Sequence, residues 1–509
     1  MSALVTDQFR ISNASNFIDS VSDENNSYYV FLGLSNPTEV GFGRTSTWNN
    51  TNGSPNPTDN FQYLSHYRDT GLFGKRVTSQ NIRRVIRKIQ WETNTTYEMY
   101  RHDYSAVNQT PSSKSLRLYD SNYYVVNSDF RVYVCIDNGS SGSNLKGNRS
   151  TSEPSSTDLA PFSPGSDGYS WKYLFTISPS DIIKFDSTEY IVLPNDWETS
   201  TDPEISRVRD SADSEVNENQ IKKVYIESGG TSGYTSGTYD IIGDGTGAKV
   251  QVTAVNGVIT DTVVISGGKG YTWGVVDLKR TGTIEQPGAK LIPIIPPSRG
   301  HGYDLYKELG ADRVMVYSRF DDSTRDFPTN TKFSQVGILK DPKEYASLST
   351  NYNGSTYSAL YSLKLDDAYA GTPSVGEEMT QEQSSTTFAR GYVASYDSTT
   401  KVLKYYRDRS LNFSNSYDQN DANDVQLKSK VIDFSSTFSV QFSVSPSANI
   451  NSSFNGSSAA GVDLGITFTS GLAYPEINKK TGDVIYIDNR PIVERNIRQK
   501  EDIKIILEF

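Results

Sequence analysis

Cysteine and histidine are nearly missing from this 509-residue chain: there is one cysteine, Cys135, and three histidines, His66, His102 and His301. A single cysteine excludes an internal disulfide framework and a thiolate metal cage. Histidines this far apart must nearly all converge before a histidine metal site can form. Positive charge is also short. Lys plus Arg number 49 against 60 Asp plus Glu, a net charge of -11, which argues against a chain whose main task is gripping nucleic acid. No run approaches the roughly 18 apolar residues of a membrane helix, and residues 1–10 lack the apolar core of a secretory leader. Folding in a reducing cytoplasm is therefore expected. Sequons such as Asn94-Thr95-Thr96 and Asn148-Arg149-Ser150 then carry no glycosylation meaning.

What is abundant points to β structure. Hydrophobic residues make up only 35% and charged residues 21%, and much of the remainder is Ser, Thr, Asn and Gly, the residues of strands and turns. Disordered chains have few aromatics, whereas here aromatics reach 12%, with 33 tyrosines. The expectation is a mainly β, multi-domain, elongated protein of sandwich-like sheets with a few short helices. At about 100–200 residues per domain the length suggests three or four domains.

Residues 1–205 read as one mixed region. Asn16, Phe17, Ile18 and Val21 suggest a short amphipathic helix, and residues 28–34 an aromatic, apolar strand. Ile82, Val85, Ile86 and Ile89 fall at i, i+3, i+4 and i+7, the spacing of a helix face, with Thr78 or Ser79 as N-cap. The opposite face then carries Arg83, Arg84, Arg87 and Lys88, either as a docking surface for an acidic partner or, more plainly, as a solvated face. Residues 131–136 alternate like a strand and enclose Cys135, while 138–168, rich in Gly, Ser, Asn and Pro, read as a long loop.

Residues 216–297 read as an inserted module with a near-repeat. One copy runs 221–226, then a Gly-rich turn through Gly233-Tyr-Thr235, then Gly247-Ala-Lys-Val250. The other runs 259–265, then Gly270-Tyr-Thr272, then Gly288-Ala-Lys-Leu291. Two such units suit a small sandwich or barrel. Gly243-Asp-Gly-Thr-Gly247 resembles a phosphate loop, but residues 248–255 alternate like a strand and supply no helix N-terminus for a phosphate. Residues 300–345 read as more of the first region.

Residues 346–470 read as a second β-rich insertion. Gly391-Tyr-Val-Ala-Ser-Tyr396 and Val402-Leu-Lys-Tyr-Tyr406 bracket a turn at 397–401 and predict a hairpin. Residues 418–424 are acidic but lack the central Gly and twelfth-position Glu of a calcium loop. The Ser/Asn-rich 445–461 reads as a flexible connector or exposed tip. In 474–509, residues 484–487 read as a strand and 488–491 as a turn. Ile503, Ile505, Leu507 and Phe509 alternate as a strand buried in a sheet would.

No catalytic constellation stands out. There is no Gly-x-Ser-x-Gly elbow, and Cys135 has no histidine near it in sequence. His301, in Gly300-His-Gly-Tyr-Asp304, is the most suggestive histidine, although a turn entering a helix is the plainer account. The acidic doublets Asp321-Asp322, Asp366-Asp367 and Glu377-Glu378 point to opposite faces if they lie in strands.

Three segments together resemble the baseplate wedge protein 8 family of T-even-type contractile-tailed bacteriophages. The first is Asp167-Gly-Tyr-Ser-Trp-Lys-Tyr-Leu-Phe-Thr-Ile-Ser-Pro179 with Glu189-Tyr-Ile-Val-Leu-Pro194. The second is Gly482-Asp-Val-Ile-Tyr-Ile-Asp-Asn-Arg-Pro491 with the ending 501–509. The third, weaker, is Phe333-Ser-Gln-Val-Gly-Ile-Leu-Lys-Asp-Pro342, with Trp48, Pro57-Thr-Asp59 and Tyr133-Val-Cys-Ile-Asp137 upstream. About half the chain is covered, and 216–297 and 346–470 depart from it as enlargements.

The resemblance implies a non-enzymatic structural subunit of the virion, made in the host cytoplasm and acting in viral tail assembly. It implies a homodimer contacting neighbouring wedge proteins, with no cofactor, nucleic acid, membrane insertion or small-molecule substrate. The motif residues it marks are Asp167, Gly168, Tyr169, Trp171, Tyr173, Phe175, Tyr190, Pro194, Tyr486, Asn489, Arg490, Pro491 and Phe509. Tyr169, Trp171, Tyr173 and Phe175 are expected to alternate onto one strand face, as core or as a dimer stripe. Asn489, Arg490 and Pro491 are expected in a turn whose arginine pairs with a carboxylate. A tail adhesin holding glycans against the Gly-Tyr-Thr module and the Tyr-rich hairpin is the alternative, and a tail glycosidase a more distant one.

Overall fold

The computed structural model describes residues 4–34, 56–57, 59, 61–278, 288–321, 331–384, 387–407, 433–495 and 499–509. Trp48, Thr58, Asp322 and the acidic run 418–424 lie outside them. The chain is mainly β, 43% strand and 13% helix, with seven sheets among the described residues. It divides into two compact units, Met1–Asn16 with Arg83–Met315 and Ile506–Phe509, and Phe17–Ile82 with Val316–Ile505.

In the first unit, Tyr124–Val126, Arg131–Asn138 and Tyr169–Thr176 form an antiparallel sheet. Cys135 is fully buried in it, as the alternation predicts. Apart from Asn138, which ends the strand, the segment 138–168 is a loop crossed only by isolated bridges. The helix expected over Ile82–Ile89 is instead a strand, Ile82–Arg87, paired with Tyr190–Leu193. Its β-branched residues suit a pleated surface covered on both sides, and Ile82, Arg84, Val85 and Ile86 are all buried. The basic docking face goes with the helix. Arg83 pairs with Asp181 at 3.0 Å, Lys88 with Asp186 at 2.9 Å, and Arg87 donates to the carbonyls of Tyr119 and Ser121. The Arg84 guanidinium lies 3.9 Å from the Tyr306 ring centre and donates to Ser15 and Asn195.

The near-repeat folds by exchange. Each copy's first strand pairs with the other copy's last: Val224–Gly229 with Ala289–Pro293, and Val258–Lys269 with Thr246–Val255. The registers correspond, Gly229↔Ala289 matching Gly267↔Ala248, and a bulge follows the equivalent lysine in both, at Lys290/Leu291 and Lys249/Val250. The two repeat tyrosines are equivalent as well. Tyr234 and Tyr271 each accept the amide of the other copy's alanine, Ala289 and Ala248, at 3.3 Å. One shared core results, with Ile226, Tyr239, Ile241, Val250, Val252 and Ile259 inside it.

In the second unit, Thr356–Ser358, Gly71–Val77, Tyr28–Gly33, Lys332–Lys340 and Asp483–Glu494 form an antiparallel sheet in that order. All six residues of Tyr28–Gly33 are buried. The predicted hairpin is present as Thr387–Asp397 and Val402–Tyr406, its turn closed by Asp397 accepting from Thr399 and Thr400. Residues 445–461 are no mere connector. Ala448 and Ile450 join the core, and the Glu377 carboxylate accepts the amides of Val444 and Ser445 at 2.8 and 2.5 Å. The serines and asparagines there suggested only flexibility, because an anchor 68 residues away leaves no local pattern.

Two expectations at the C-terminus change. The strand Asp483–Glu494 runs through 488–491 without a turn; its register shifts at Phe333/Gln335, a bulge that accommodates Pro491. The last strand, Lys500–Glu508, buries Ile505 alone, with Ile503, Leu507 and Phe509 half-buried.

Candidate functional site

The motif 167–175 is built around one carboxylate and one glycine. Asp167 accepts the amides of Thr151, Ser152 and Tyr169 at 2.7, 3.2 and 3.1 Å, tying the long loop to the start of the strand. Gly168 sits at φ +89°, where a Cβ would lie 2.9 Å from the Asn148 amide nitrogen and 3.2 Å from the Gly139 Cα. The aromatic side chains come next along the strand. Tyr169 and Trp171 stack at 5.3 Å and 12°, Tyr173 meets Tyr133 edge-on at 5.8 Å, and Phe175 meets Trp197 at 6.3 Å.

All four are at most 4% exposed. Their neighbours Lys172 and Leu174 are fully buried too, so both faces of the strand are interior. The stripe is core, and a dimer contact through it is ruled out by its burial within one chain. Lys172 has its ammonium satisfied by Glu215 Oε2 and the Leu159 carbonyl, each at 2.9 Å. Glu215 comes from the helix Pro203–Glu218, which Asp202 caps by accepting the Glu204 amide.

The remaining motif residues also serve structure. Tyr190 donates its amide to Ser187, and the Pro194 carbonyl accepts the Tyr306 hydroxyl at 2.6 Å. Tyr486 lies opposite Ile338, Asn489 accepts from Gln335 at 2.8 Å, and the Phe509 amide donates to the Asp312 carbonyl. Arg490 pairs with a carboxylate as expected, but with Asp488, two residues away, at 2.6 Å and with its side chain 59% exposed. An exposed local pair contributes little. Arg490→Ala is therefore expected to change stability by no more than about 0.5 kcal/mol, read as an unchanged urea midpoint.

His301 and His102 have different partners. His301 is buried, its Nδ1 2.7 Å from Glu308 Oε1, while Glu308 Oε2 accepts the Gly302 amide at 2.6 Å and Tyr100 stands edge-on at 4.7 Å. His102 accepts the Ile295 amide, and burial lowers its pKa. His66 lies in the helix Phe61–Thr70. Burial pushes the Cys135 thiol up, away from the reactive thiolate. Among the described residues no three His, Cys, Asp or Glu side chains gather as metal ligands. The doublet Glu377-Glu378 is split: Glu377 binds loop amides while Glu378 pairs with Arg390.

Burial also sets an alkaline limit. The Tyr306 phenol is pushed up to about 12, mainly by desolvation, and the same cause raises Tyr100, Tyr123 and Tyr124. Unfolded tyrosines ionise near pH 10, so above that pH the unfolded chain loses protons that the folded chain keeps. The tyrosine contribution to stability is expected to be flat up to about pH 10 and then to fall, by up to about 2.7 kcal/mol for Tyr306 alone by about pH 12. Urea midpoints stepped through that range check this.

Sequence reasoning missed Trp197 and Glu215 and placed Arg84 on an open face, because their partners Gly302, Lys172 and Ser15 are distant in sequence; it also missed Glu308, which meets His301 and Gly302 only seven and six residues away. The Gly-Tyr-Thr rings turn inward, Tyr271 being 2% exposed. Exposed aromatics include Trp273 directly after the second Gly-Tyr-Thr, at 54%, and the pair Tyr345 and Tyr474, which stack at 5.0 Å and are 38% and 40% exposed. The chain matches no protein-family model and no curated protein.

Proposed function

We propose that this protein is a structural subunit of a phage tail baseplate wedge, acting in tail assembly through protein–protein contacts as a homodimer bound to neighbouring wedge proteins in the virion. The observation that supports this reading is the way its motif residues are used. Asp167, Gly168, Tyr169, Trp171, Tyr173 and Phe175 organise a loop and a core, as residues kept for architecture do. On this reading 216–297 and 346–470 are enlargements of the family core. An acidic chain stays dispersed until a matching surface appears.

Light scattering on the protein alone and with the other recombinant wedge subunits of its phage tests this. The expected mass is twice 56.5 kDa, about 113 kDa, moving into a larger defined complex when partners are added. A monomer that ignores every wedge subunit overturns it. The adhesin reading draws on the exposed Tyr345–Tyr474 pair, and a signal on a glycan array that Tyr474→Ala abolishes would favour it.

A further inference from the structure

Asparagine is followed by glycine at Asn52, Asn138, Asn256, Asn353 and Asn455, and the structure describes the last four of these pairs. Such a pair can react with itself, because glycine has no Cβ to hinder the approach. The glycine amide loses its proton, its nitrogen adds to the asparagine Cγ, and ammonia leaves as a five-membered imide closes. Water then opens the imide at either carbonyl, giving aspartate or isoaspartate. The attacking and the attacked residue are the same in every pair, so the fold decides which of them reacts.

Two pairs are locked by hydrogen bonds. Asn138 is 4% exposed and its carboxamide donates to the Tyr97 and Lys146 carbonyls at 3.0 and 3.2 Å, while the Gly139 amide is committed to Asp137 at 2.9 Å. The Asn455 carboxamide accepts the Ser470 amide at 2.9 Å and donates to the Ser453 carbonyl at 3.1 Å. Asn256 is held by its backbone instead. With Gly257 it forms the two-residue loop between Val255 and Val258, at φ +52° and +79°, the type I′ hairpin turn. That turn class sets the asparagine ψ near about +30°, which leaves its Cβ on the far side of the Cα–C bond from the glycine nitrogen. The imide cannot close there without breaking the hairpin.

Asn353-Gly354 has none of these restraints. It lies outside the strands, Asn353 is exposed, and neither its carboxamide nor the Gly354 amide makes a hydrogen bond among the described residues. The peptide between them is activated. Arg76 Nη1 donates to the Asn353 carbonyl at 3.0 Å, and Arg76 pairs with no carboxylate among the described residues. When that peptide loses its proton, the negative charge is shared between its nitrogen and the carbonyl oxygen that Arg76 holds. A charge-assisted donor there stabilises the attacking anion. The glycine is fixed as well: a Cβ on Gly354 would run into the Tyr352 hydroxyl, which donates to the Thr356 carbonyl at 2.7 Å and lies 3.1 Å from Glu476.

We propose that Asn353 is a self-modification site: with water as the only co-reactant, the folded chain converts it to aspartate and isoaspartate, promoted by Arg76. An isoaspartate adds one carbon to the main chain between the Tyr352 and Gly354 carbonyls, which lie 3.0 and 2.8 Å from the Tyr29 hydroxyl. The proposal does not depend on the structural-subunit reading.

The test incubates the full chain at mildly alkaline pH and samples it by peptide mapping, each conversion being read as a gain of about 1 Da and isoaspartate by enzymatic methyl labelling. Among the four described pairs 353 is expected to convert fastest. It should lead 138 and 455 by about 10-fold or more, the factor that breaking one or two side-chain hydrogen bonds adds to their barriers. In urea the four rates should converge. Arg76→Gln is expected to slow 353 by about 3- to 10-fold and to leave the other sites unchanged; the ranking in the unaltered protein needs no variant. Conversion at 353 no faster than at 138 or 455, or slower than at 256, overturns the proposal, as does a ranking that persists in urea. A fast 353 that Arg76→Gln does not slow overturns the part given to Arg76.

Discussion

Trp171→Ala is expected to destabilise the first unit by about 3–5 kcal/mol, as emptying a fully buried aromatic site does. The ring is 0% exposed, stacked on Tyr169 at 5.3 Å and met edge-on by Tyr97 at 5.8 Å. Its backbone exchanges two 2.9 Å hydrogen bonds with Phe162, so the same residue pins the long loop. Set against a total stability of about 5–15 kcal/mol for a domain, that loss is a large fraction. Trp171→Phe keeps much of the packing and is expected to cost less than half as much. Chemical denaturation of the two variants, followed by assembly with wedge proteins, separates core from interface. A core residue lowers the unfolding midpoint and leaves the phenylalanine variant assembling normally. An unchanged midpoint with lost assembly would instead place the stripe in an interface and refute its packing as core.

Removing Glu215 has an effect of similar size for a different reason. Its carboxylate is 2.9 Å from Lys172, which is fully buried, and 4.0 Å from Lys222. Glu215→Ala leaves the Lys172 ammonium inside the protein with the Leu159 carbonyl as its remaining partner. Breaking a buried pair from one side costs about 3–5 kcal/mol, whereas replacing both partners by apolar groups is often close to neutral. The double variant Lys172→Met/Glu215→Ala should therefore recover most of what Glu215→Ala loses, and a double-mutant cycle measures the coupling. If both changes simply add, the two charges are not coupled and the burial of Lys172 does not depend on Glu215.

The pH dependence of Glu215→Ala comes from Lys222. Burial holds its ammonium below the usual lysine range, and Glu215 pulls it back up. Without Glu215 the folded chain binds that proton more weakly than the unfolded chain does. The deficit of the variant should therefore shrink as pH rises toward about 10, where unfolded lysine itself begins to lose its proton. A deficit that grows over that range would contradict the sign.

Local patterns carried much of the fold. The apolar run at 28–34, the Asp-led turn between Tyr396 and Val402, and the burial of Cys135 in its strand are all present as read. The near-repeat of 216–297 was legible as two copies, although their exchange was not, because a repeat states which segments are alike and leaves open which of them pair. The run Ile82-Arg-Arg-Val-Ile-Arg fits a helix face and a doubly covered strand equally well. The choice falls to the strand because Arg84 finds Tyr306, Ser15 and Asn195 around it and need not reach solvent. At 488–491 the Asn-Arg-Pro triplet reads as a turn, but a bulge against Phe333–Gln335 takes the proline without reversing the chain.

By itself the sequence determined the class of this protein. Tyrosine, threonine and branched residues in period-2 runs between Gly- and Asn-rich turns specify sheets, because each strand needs only its own alternation to acquire an apolar face. Only the tertiary structure decided which faces close and which stay open. The stripe 169–175 is covered on both sides by distant segments, so its aromatics are core, whereas Val263, Ile265, Ile242, Trp273 and Val275 keep about half their surface because nothing described in the first unit covers them. The charges were settled the same way. Lys172 meets Glu215 across 43 residues, and Arg83 meets Asp181 across 98. A pair that far apart in the chain is set by packing, which no local pattern encodes.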